Sequence, residues 1–503
     1  MALLFDWLND FSYNTVLGDP RKATVSEVLI DSRKAAPDTV FVCMKGANVD
    51  AHKFLPDVLH AGCRAVVIED SDEELTSLGI SLPELQESYP DLCVIRTESA
   101  RQALANLSAA RFSYPAKEMT VIAITGTKGK TTTAHMIYQI LNCADKKAGM
   151  IGTTGIVYPG VHIQTKNTTP ESYDLQKAFR DMVNAGCEYV VMEASSQAFK
   201  LHRVDAITFD YGIFTNIEPD HIGPNEHKDF EEYKYYKSCI FKQSHTGIIN
   251  LDADYASELL HAAPCKMYSF AIDRTADFMA NKLCHVNSED FVGTEFELIG
   301  HANMEVKLSL PGKYNVYNAL AAISVLSLAG IPEEAILKAL RNVNVNGRME
   351  VAFKNKNMTV LVDYAHNAMA MENLLKTLRD YKPHRLVVVF GCGGNRSKDR
   401  RYGMGETAAK MADLSILTAD NSRFEKTEDI IADIKSTLIP AGGSYIEIPD
   451  RREAIVYAMT HAETGDMIAV IGKGHEDYQE VNGVRTHFLD REVIQETAAM
   501  YHL

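Results

Sequence analysis

No uninterrupted apolar run in this 503-residue sequence reaches the roughly 18 residues that a membrane-spanning helix needs, so no membrane insertion is expected. The opening stretch Met1-Ala2-Leu3-Leu4-Phe5-Asp6 lacks the basic, apolar and cleavage regions of a secretory signal, and a cytoplasmic location is expected. Paired cysteines are missing too. The nine cysteines are scattered, odd in number and form no C-x-x-C pair, which argues against a disulfide framework and against a structural zinc site. Basic charge is scarce: 51 Lys and Arg face 67 Asp and Glu, a net charge of -16 that repels polyanions and argues against nucleic-acid binding. An anionic small substrate therefore needs local cations or a metal. Internal repeats and low-complexity tracts are also absent, which sets aside solenoids and disordered linkers.

What is present is the composition of a soluble globular protein, with 46% apolar and 23% charged residues. At roughly 150 residues per domain, the length suggests about three domains. Short β-branched runs bounded by polar or glycine residues recur at 65–68, 121–124, 189–192, 360–362, 386–390 and 468–471, alternating with helical stretches. That alternation predicts an α/β fold of parallel sheets covered by helices. Tyr114-Pro115-Ala116-Lys117 and Asn342-Val343-Asn344-Val345-Asn346-Gly347 read as connectors, dividing the chain into 1–116, 117–346 and 347–503.

The strongest local signal is a strand, Val121 to Ile124, running through Thr125 into Gly126-Thr127-Lys128-Gly129-Lys130-Thr131-Thr132-Thr133 and then a helix from Ala134 to Leu141. Small residues let backbone N–H groups face phosphate oxygens, a helix N-terminus favours anions, Lys130 reaches terminal phosphates and Thr131 reaches a magnesium ion. The strict G-x-x-x-x-G-K-T pattern would need glycine where Ile124 stands. A glycine turn with solvated lysines is the bland alternative, and the strand–turn–helix order speaks against it.

Gly126 to Thr131 resembles the shortened phosphate loop of the Mur ligase family. The likeness extends through Asp31-Ser32-Arg33, Thr168-Thr169-Pro170-Glu171, Met192-Glu193-Ala194-Ser195-Ser196, Thr215-Asn216-Ile217 with Asp220-His221, and Lys237-Ser238-Cys239-Ile240-Phe241. It continues through Gly347-Arg348-Met349-Glu350, Asp363-Tyr364-Ala365-His366, Gly391-Cys392-Gly393-Gly394, Asp420-Asn421-Ser422-Arg423 and Gly472-Lys473-Gly474-His475-Glu476. Together these are most similar to the tripeptide synthetases of that family. The resemblance implies three-domain architecture: a UDP-binding N-terminal domain, a central phosphate-loop ATPase, and a Rossmann-like C-terminal domain that binds the incoming amino acid. It implies an ATP-dependent ligase of peptidoglycan biosynthesis, acting as a monomer on a UDP-N-acetylmuramoyl dipeptide, ATP and a diamino acid. In that reaction ATP phosphorylates the D-glutamyl carboxylate, and the amine of the amino acid then displaces phosphate.

Site residues follow from the same resemblance. Lys130, Glu193, His221 and Lys237 are the implied catalytic set, and Thr131, Glu193, His221 and Lys237, the last as N6-carboxylysine, are implied to organise magnesium. Gly126, Thr127, Lys128, Gly129, Lys130, Thr131, Thr132, Arg348, Asp363 and His366 are implied to handle ATP, although Asp363 also suits a helix N-cap. Ser32, Thr168, Thr169, Ser195 and Arg203 are implied to bind the UDP-peptide. Arg401, Asp420, Asn421, Arg423, Gly472 and Glu476 are implied to bind the amino acid, with Arg423 taking a far carboxylate and Glu476 a far ammonium. That pairing implies meso-diaminopimelate, with L-lysine the alternative; for Arg423 alone, pairing with Glu425 is the bland reading. Departures from the family pattern are Leu201 for glutamine, Asn395 for aspartate, Ser422 for proline, and a slight lengthening near Pro224-Asn225 ahead of Lys237. A folylpolyglutamate synthase-like ligase and a non-catalytic nucleotide binder are the other readings. Coupled ATP hydrolysis and the identity of the acceptor separate them.

Overall fold

A computed structural model describes residues 1–46, 49–224 and 226–503; Asn225, half of the expected lengthening, lies outside them. The chain divides into two compact units, Met1–Asp277 with Ala321–Pro332, and Phe278–Leu320 with Glu333–Leu503.

The first unit begins with a five-stranded sheet in the order Asn14–Leu17, Cys93–Arg96, Ala65–Ile68, Thr39–Val42, Glu27–Leu29. All neighbours are parallel except the edge strand Asn14–Leu17. Side chains alternate across the sheet, so Val40 and Val42 pack with Leu104 and Leu107 of helix Ala100–Arg111. Phe41 and Val66 face the other way, toward Leu55 and Leu59. Both faces are covered, which explains the near-continuous apolar runs in these strands.

The same unit carries a second sheet in the order Val161–Ile163, Gly155–Tyr158, Ala148–Gly152, Tyr189–Glu193, Thr120–Thr125, Phe209–Phe214, Ser244–Asn250, Lys266–Ala271. Its strands are parallel from Ala148–Gly152 onward. The strand earliest in sequence, Thr120–Thr125, lies in the middle, so successive connections leave it in opposite directions. A crevice forms at the carboxyl ends of strands at such a switch point. Thr125, Glu193 and Thr215 all lie at or just beyond that edge.

The second unit holds an antiparallel meander, Phe278–Asn287, Val292–Gly300 and Met304–Leu308. It also holds a six-stranded sheet in the order Glu350–Lys354, Met358–Asp363, Asp466–Ile471, Leu386–Phe390, Leu414–Leu417, Tyr445–Glu447. Only Glu350–Lys354 runs antiparallel. Val388, Phe390 and Leu417 pack against helices Ala368–Arg379 and Thr427–Leu438 on one face. Val387, Val389 and Ile416 pack on the other against Ala454, Ile455 and Ile494. The α/β reading is borne out, and no helix among the described residues is long and apolar enough to cross a membrane.

Candidate active site

The phosphate loop is built by its glycines. Gly126 has φ +146, and a Cβ on it would lie 2.0 Å from Thr215 Oγ1. Gly129, at φ +86, is the N-cap of helix Lys130–Cys143, which therefore starts ahead of the expected Ala134. Asn216 fixes the loop: its carbonyl accepts from Thr127 N at 3.0 Å and its Oδ1 from Lys128 N at 2.9 Å. Lys128 Nζ is held by Glu218 at 2.7 Å. Lys130 Nζ lies over the loop, donating to the carbonyls of Gly126 at 2.7 Å and Thr127 at 3.1 Å. Thr132 is buried behind it.

Thr131 Oγ1 donates to Glu193 Oε2 at 3.0 Å, joining the loop to the end of the neighbouring strand. Glu193 is 1% exposed, and its Oε1 accepts from Thr153 N at 2.8 Å. Gly152 leaves the room, since a Cβ there would lie 2.2 Å from Glu193 Oε1. Thr153 Oγ1 lies 3.2 Å from Thr168 Oγ1. Thr169 Oγ1 donates to Glu193 O at 2.8 Å and accepts from Ser195 N at 3.1 Å. Thr131, Thr168, Thr169, Glu193 and Ser195 are thus one hydrogen-bonded cluster. Thr153 belongs to it without having been legible in the sequence, because it sits in no motif.

Arg203 is paired within the protein, to Glu171 Oε1 at 2.6 Å and to Thr169 O at 3.1 Å. Ser32 opens the turn Ser32–Lys34, which Asp31 caps; no hydrogen bond among the described residues links it to the cluster. His221 is exposed, has φ +54, and binds Glu226 Oε1 through Nδ1 at 2.9 Å.

Lys237 lies on helix Phe230–Lys242. Only 2% of it is exposed, and its Nζ sits 4.7 Å from the centre of the Tyr233 ring. Burial, reinforced by nearby Lys130, pushes its amine well below the ordinary lysine range. Lys237 is therefore a core lysine and not a solvated one. Tyr233, itself fully buried, ties this helix to the phosphate loop by its 3.0 Å contact with Thr127 Oγ1.

In the second unit a cavity of about 480 Å³ opens at the carboxyl edge of the six-stranded sheet. Asp420, Asn421, Arg423, Gly472 and Glu476 line it, as does Cys392. Arg423, at φ +49, donates from Nη1 to Gly394 O at 2.8 Å. It has no carboxylate partner among the described residues, because Glu425 turns instead to Arg401 Nη2 at 2.8 Å. Asn395 Oδ1 accepts from Phe424 N at 3.2 Å, so the departure from aspartate keeps an acceptor in the loop. Asn421 Nδ2 donates to Glu476 Oε2 at 2.8 Å. Gly472 is required by shape, since a Cβ would lie 2.6 Å from Asp420 Oδ2.

Arg401 touches the cavity, but it is 1% exposed and committed to Glu425 and to Asp433 at 2.8 Å each. The cavity's arginines without carboxylate partners among the described residues are Arg396, Arg400 and Arg423. The first two were missed, although Arg396 stands beside the flagged Gly393-Gly394-Asn395. Asp363 accepts from Met349 N and Ala365 N, both at 2.8 Å, while Asn367 caps the following helix, so the N-cap alternative fails. Burial pushes the Asp363 carboxyl up against the opposing pull of Arg348. Arg348 stacks 4.8 Å from the Tyr364 ring centre, and His366 Nδ1 meets Tyr364 O at 2.9 Å.

Three family models match in succession: the Mur ligase family catalytic domain over residues 24–112, the Mur ligase middle domain over 124–326, and the Mur ligase glutamate ligase domain over 347–474. The chain is 37% identical to UDP-N-acetylmuramoyl-L-alanyl-D-glutamate--2,6-diaminopimelate ligase of Caldanaerobacter subterraneus subsp. tengcongensis, across 96% of each chain. It is 38% identical to the protein of the same name from Clostridium botulinum, across 94% of this chain and 95% of that one. A solved structure of a ligase of that name superposes with a TM-score of 0.74 at 28% identity, covering 100% of both chains. With near-full-length relatives at this identity and the three domain models in order, the chain belongs to the Mur ligase family.

Proposed function

We propose that this protein is an ATP-dependent ligase that adds meso-diaminopimelate to UDP-N-acetylmuramoyl-L-alanyl-D-glutamate in peptidoglycan synthesis, through an acyl phosphate. The observation that carries the choice of amino acid is Arg423, a guanidinium without a carboxylate partner among the described residues that faces a cavity it shares with Glu476. A diaminopimelate end group carries one carboxylate and one ammonium, which match Arg423 and Glu476. L-Lysine lacks that carboxylate and would leave the guanidinium unpaired, at a cost of roughly 2–5 kcal/mol for a desolvated pair. Arg396, on the same cavity wall, offers a second cation in the role first expected of Arg401.

In this reading residues 1–116 hold the uridine end near Ser32, 117–346 carry out phosphoryl transfer, and 347–503 present the amino acid. Lys130 stands over the phosphate loop, from which its ammonium moves onto the transferring phosphoryl group. Thr131 and Glu193 form a hard-oxygen pair at the helix N-terminus, a donor chemistry that fits magnesium; His221, here bonded to Glu226, would complete the set. Magnesium held there would neutralise phosphate charge. Thr168, Thr169 and Ser195 hold the peptide beside Glu193, and Arg203 reaches it once released from Glu171. Arg348, Asp363 and His366 contact the nucleotide. Burial disfavours the ammonium form of Lys237 and so favours the neutral amine, the form that adds to carbon dioxide, losing one proton to become a carbamate. The resulting N6-carboxylysine places an anion beside Lys130.

The test is to incubate the protein with ATP, magnesium and UDP-N-acetylmuramoyl-L-alanyl-D-glutamate, offering meso-diaminopimelate and L-lysine separately. The expected product is the diaminopimelate tripeptide by mass; a preference for lysine overturns the assignment of the amino acid. Turnover of a folate acceptor instead overturns the whole reading.

A further inference from the structure

The hairpin Tyr478–Val481 and Val484–His487 lies beside the amino-acid cavity and carries none of the residues assigned above. Its turn is Asn482-Gly483, with φ +51 and φ +75, the left-handed pair that a two-residue type I′ hairpin requires. Register across the strands is unbroken from Tyr478↔His487 to Val481↔Val484.

One edge of this hairpin is joined to the loop that carries Arg423. Arg423 N donates to Glu480 O at 2.9 Å, and Asn482 N donates back to Arg423 O at 2.6 Å. Two further links flank these: Gln479 Nε2 to Asp420 O at 3.1 Å, and Glu480 N to Asn421 Oδ1 at 2.9 Å. The backbone so clamped is in the left-handed region, φ +49. A non-glycine residue stays there only where its surroundings over-determine it. Both Arg423 backbone polar groups are engaged by the hairpin, and this conformation directs the guanidinium to Gly394 O at 2.8 Å, on the cavity wall. In an extended conformation the same side chain would leave the backbone on a different face.

We propose that the Asn482-Gly483 hairpin is a positioning element for amino-acid selection: it holds Arg423 left-handed and so aims its guanidinium at the far carboxylate of the diamino acid. This rests on the diaminopimelate reading. Gly483→Val places a β-branched residue at a left-handed position, where its Cβ would also lie 3.2 Å from the Phe424 ring, and so disrupts the turn. Gly483→Asn is the conservative variant, because asparagine tolerates left-handed φ. Gln479→Ala removes one clamp without touching the turn.

The measurements are KM for each of the three substrates, kcat, and the thermal midpoint, in full-length protein. Gly483→Val is expected to raise KM for meso-diaminopimelate about tenfold, equivalent to about 1.4 kcal/mol. KM for ATP and for the UDP-dipeptide, and the thermal midpoint, are expected to stay at parent values. Gly483→Asn restores KM, and Gln479→Ala gives a smaller rise of about threefold. An unchanged diaminopimelate KM in both Gly483→Val and Gln479→Ala overturns the inference, as does a rise shared equally by all three substrates. Arg423→Ala, run alongside, separates the two levels. If it raises the diaminopimelate KM while the hairpin variants do not, the hairpin role fails and the amino-acid reading stands. If the parent does not use diaminopimelate, both fail.

Discussion

Lys130 and Lys237 are neighbouring lysines with opposite surroundings, and the contrast separates their roles. The first rests on loop carbonyls, whereas the second is enclosed by an aromatic ring and its own helix. Because burial lowers the Lys237 pKa, the unfolded chain binds a proton that the folded chain does not, from the depressed folded value up to the ordinary lysine value. Stability from this group is therefore lost as pH falls through that window. Lys237→Met is expected to raise the thermal midpoint in carbonate-free buffer at pH 7 while abolishing ligation; a lowered midpoint with normal turnover would contradict both parts. Arg401 and Arg423 form a second contrast. Arg401→Met removes the buried guanidinium shared by Glu425 and Asp433, which keep the Asn395 N–H and Lys398 respectively, and because those partners are partly solvated it is expected to cost about 2 kcal/mol in urea unfolding. Arg423→Ala is expected to leave unfolding unchanged and to lower kcat/KM for diaminopimelate by about 30-fold or more, as loss of an ion pair at the substrate does. The sequence did not separate these two arginines, because the partners of Arg401 are on another helix and a loop that only folding brings near.

At the scale of elements, the carboxyl ends of the strands are where sequence and structure agree best. The runs 121–124, 189–192, 360–362, 386–390 and 468–471 were legible because they are buried on both faces and β-branched. The meander from Phe278 to Leu308 was not, because its strands alternate buried with exposed residues among polar side chains and form no continuous apolar run. A fully buried staple holds the end of one legible strand, 468–471, and the segment that follows the strand Leu414–Leu417. Arg451 pairs with Asp490 through two contacts of 2.7 Å and donates to Ala419 O at 3.1 Å and Ile471 O at 3.0 Å, just before Asp420 and Gly472. Arg451→Met is expected to cost about 3–5 kcal/mol by leaving Asp490 unpaired. Adding Asp490→Leu is expected to recover most of that in the same denaturant series, but not the diaminopimelate KM, since the two carbonyls stay unclamped.

Over the whole molecule, the chain does not complete its first unit before starting its second. Residues 321–332 return to the unit that the chain left at Asp277. Ala322, Ile323, Val325 and Leu326 in that segment are fully buried. A fragment ending at residue 277 therefore lacks apolar surface on which its core depends, at about 25 cal/mol per Å². It is expected to aggregate or to unfold without cooperativity, and supplying 321–332 through a short linker is expected to restore a sharp transition by circular dichroism. A cleanly folding 1–277 fragment would show the segment to be dispensable.

Cys392 lines the amino-acid cavity, yet burial pushes its thiol up to about 12. Thiolate is the reactive form, and almost none exists at neutral pH. An inhibitor that relies on capturing a cavity cysteine covalently therefore finds no nucleophile here. The durable handles are the guanidinium groups of Arg396, Arg400 and Arg423, which favour a compact dianion or an arginine-directed dicarbonyl over a thiol-seeking warhead.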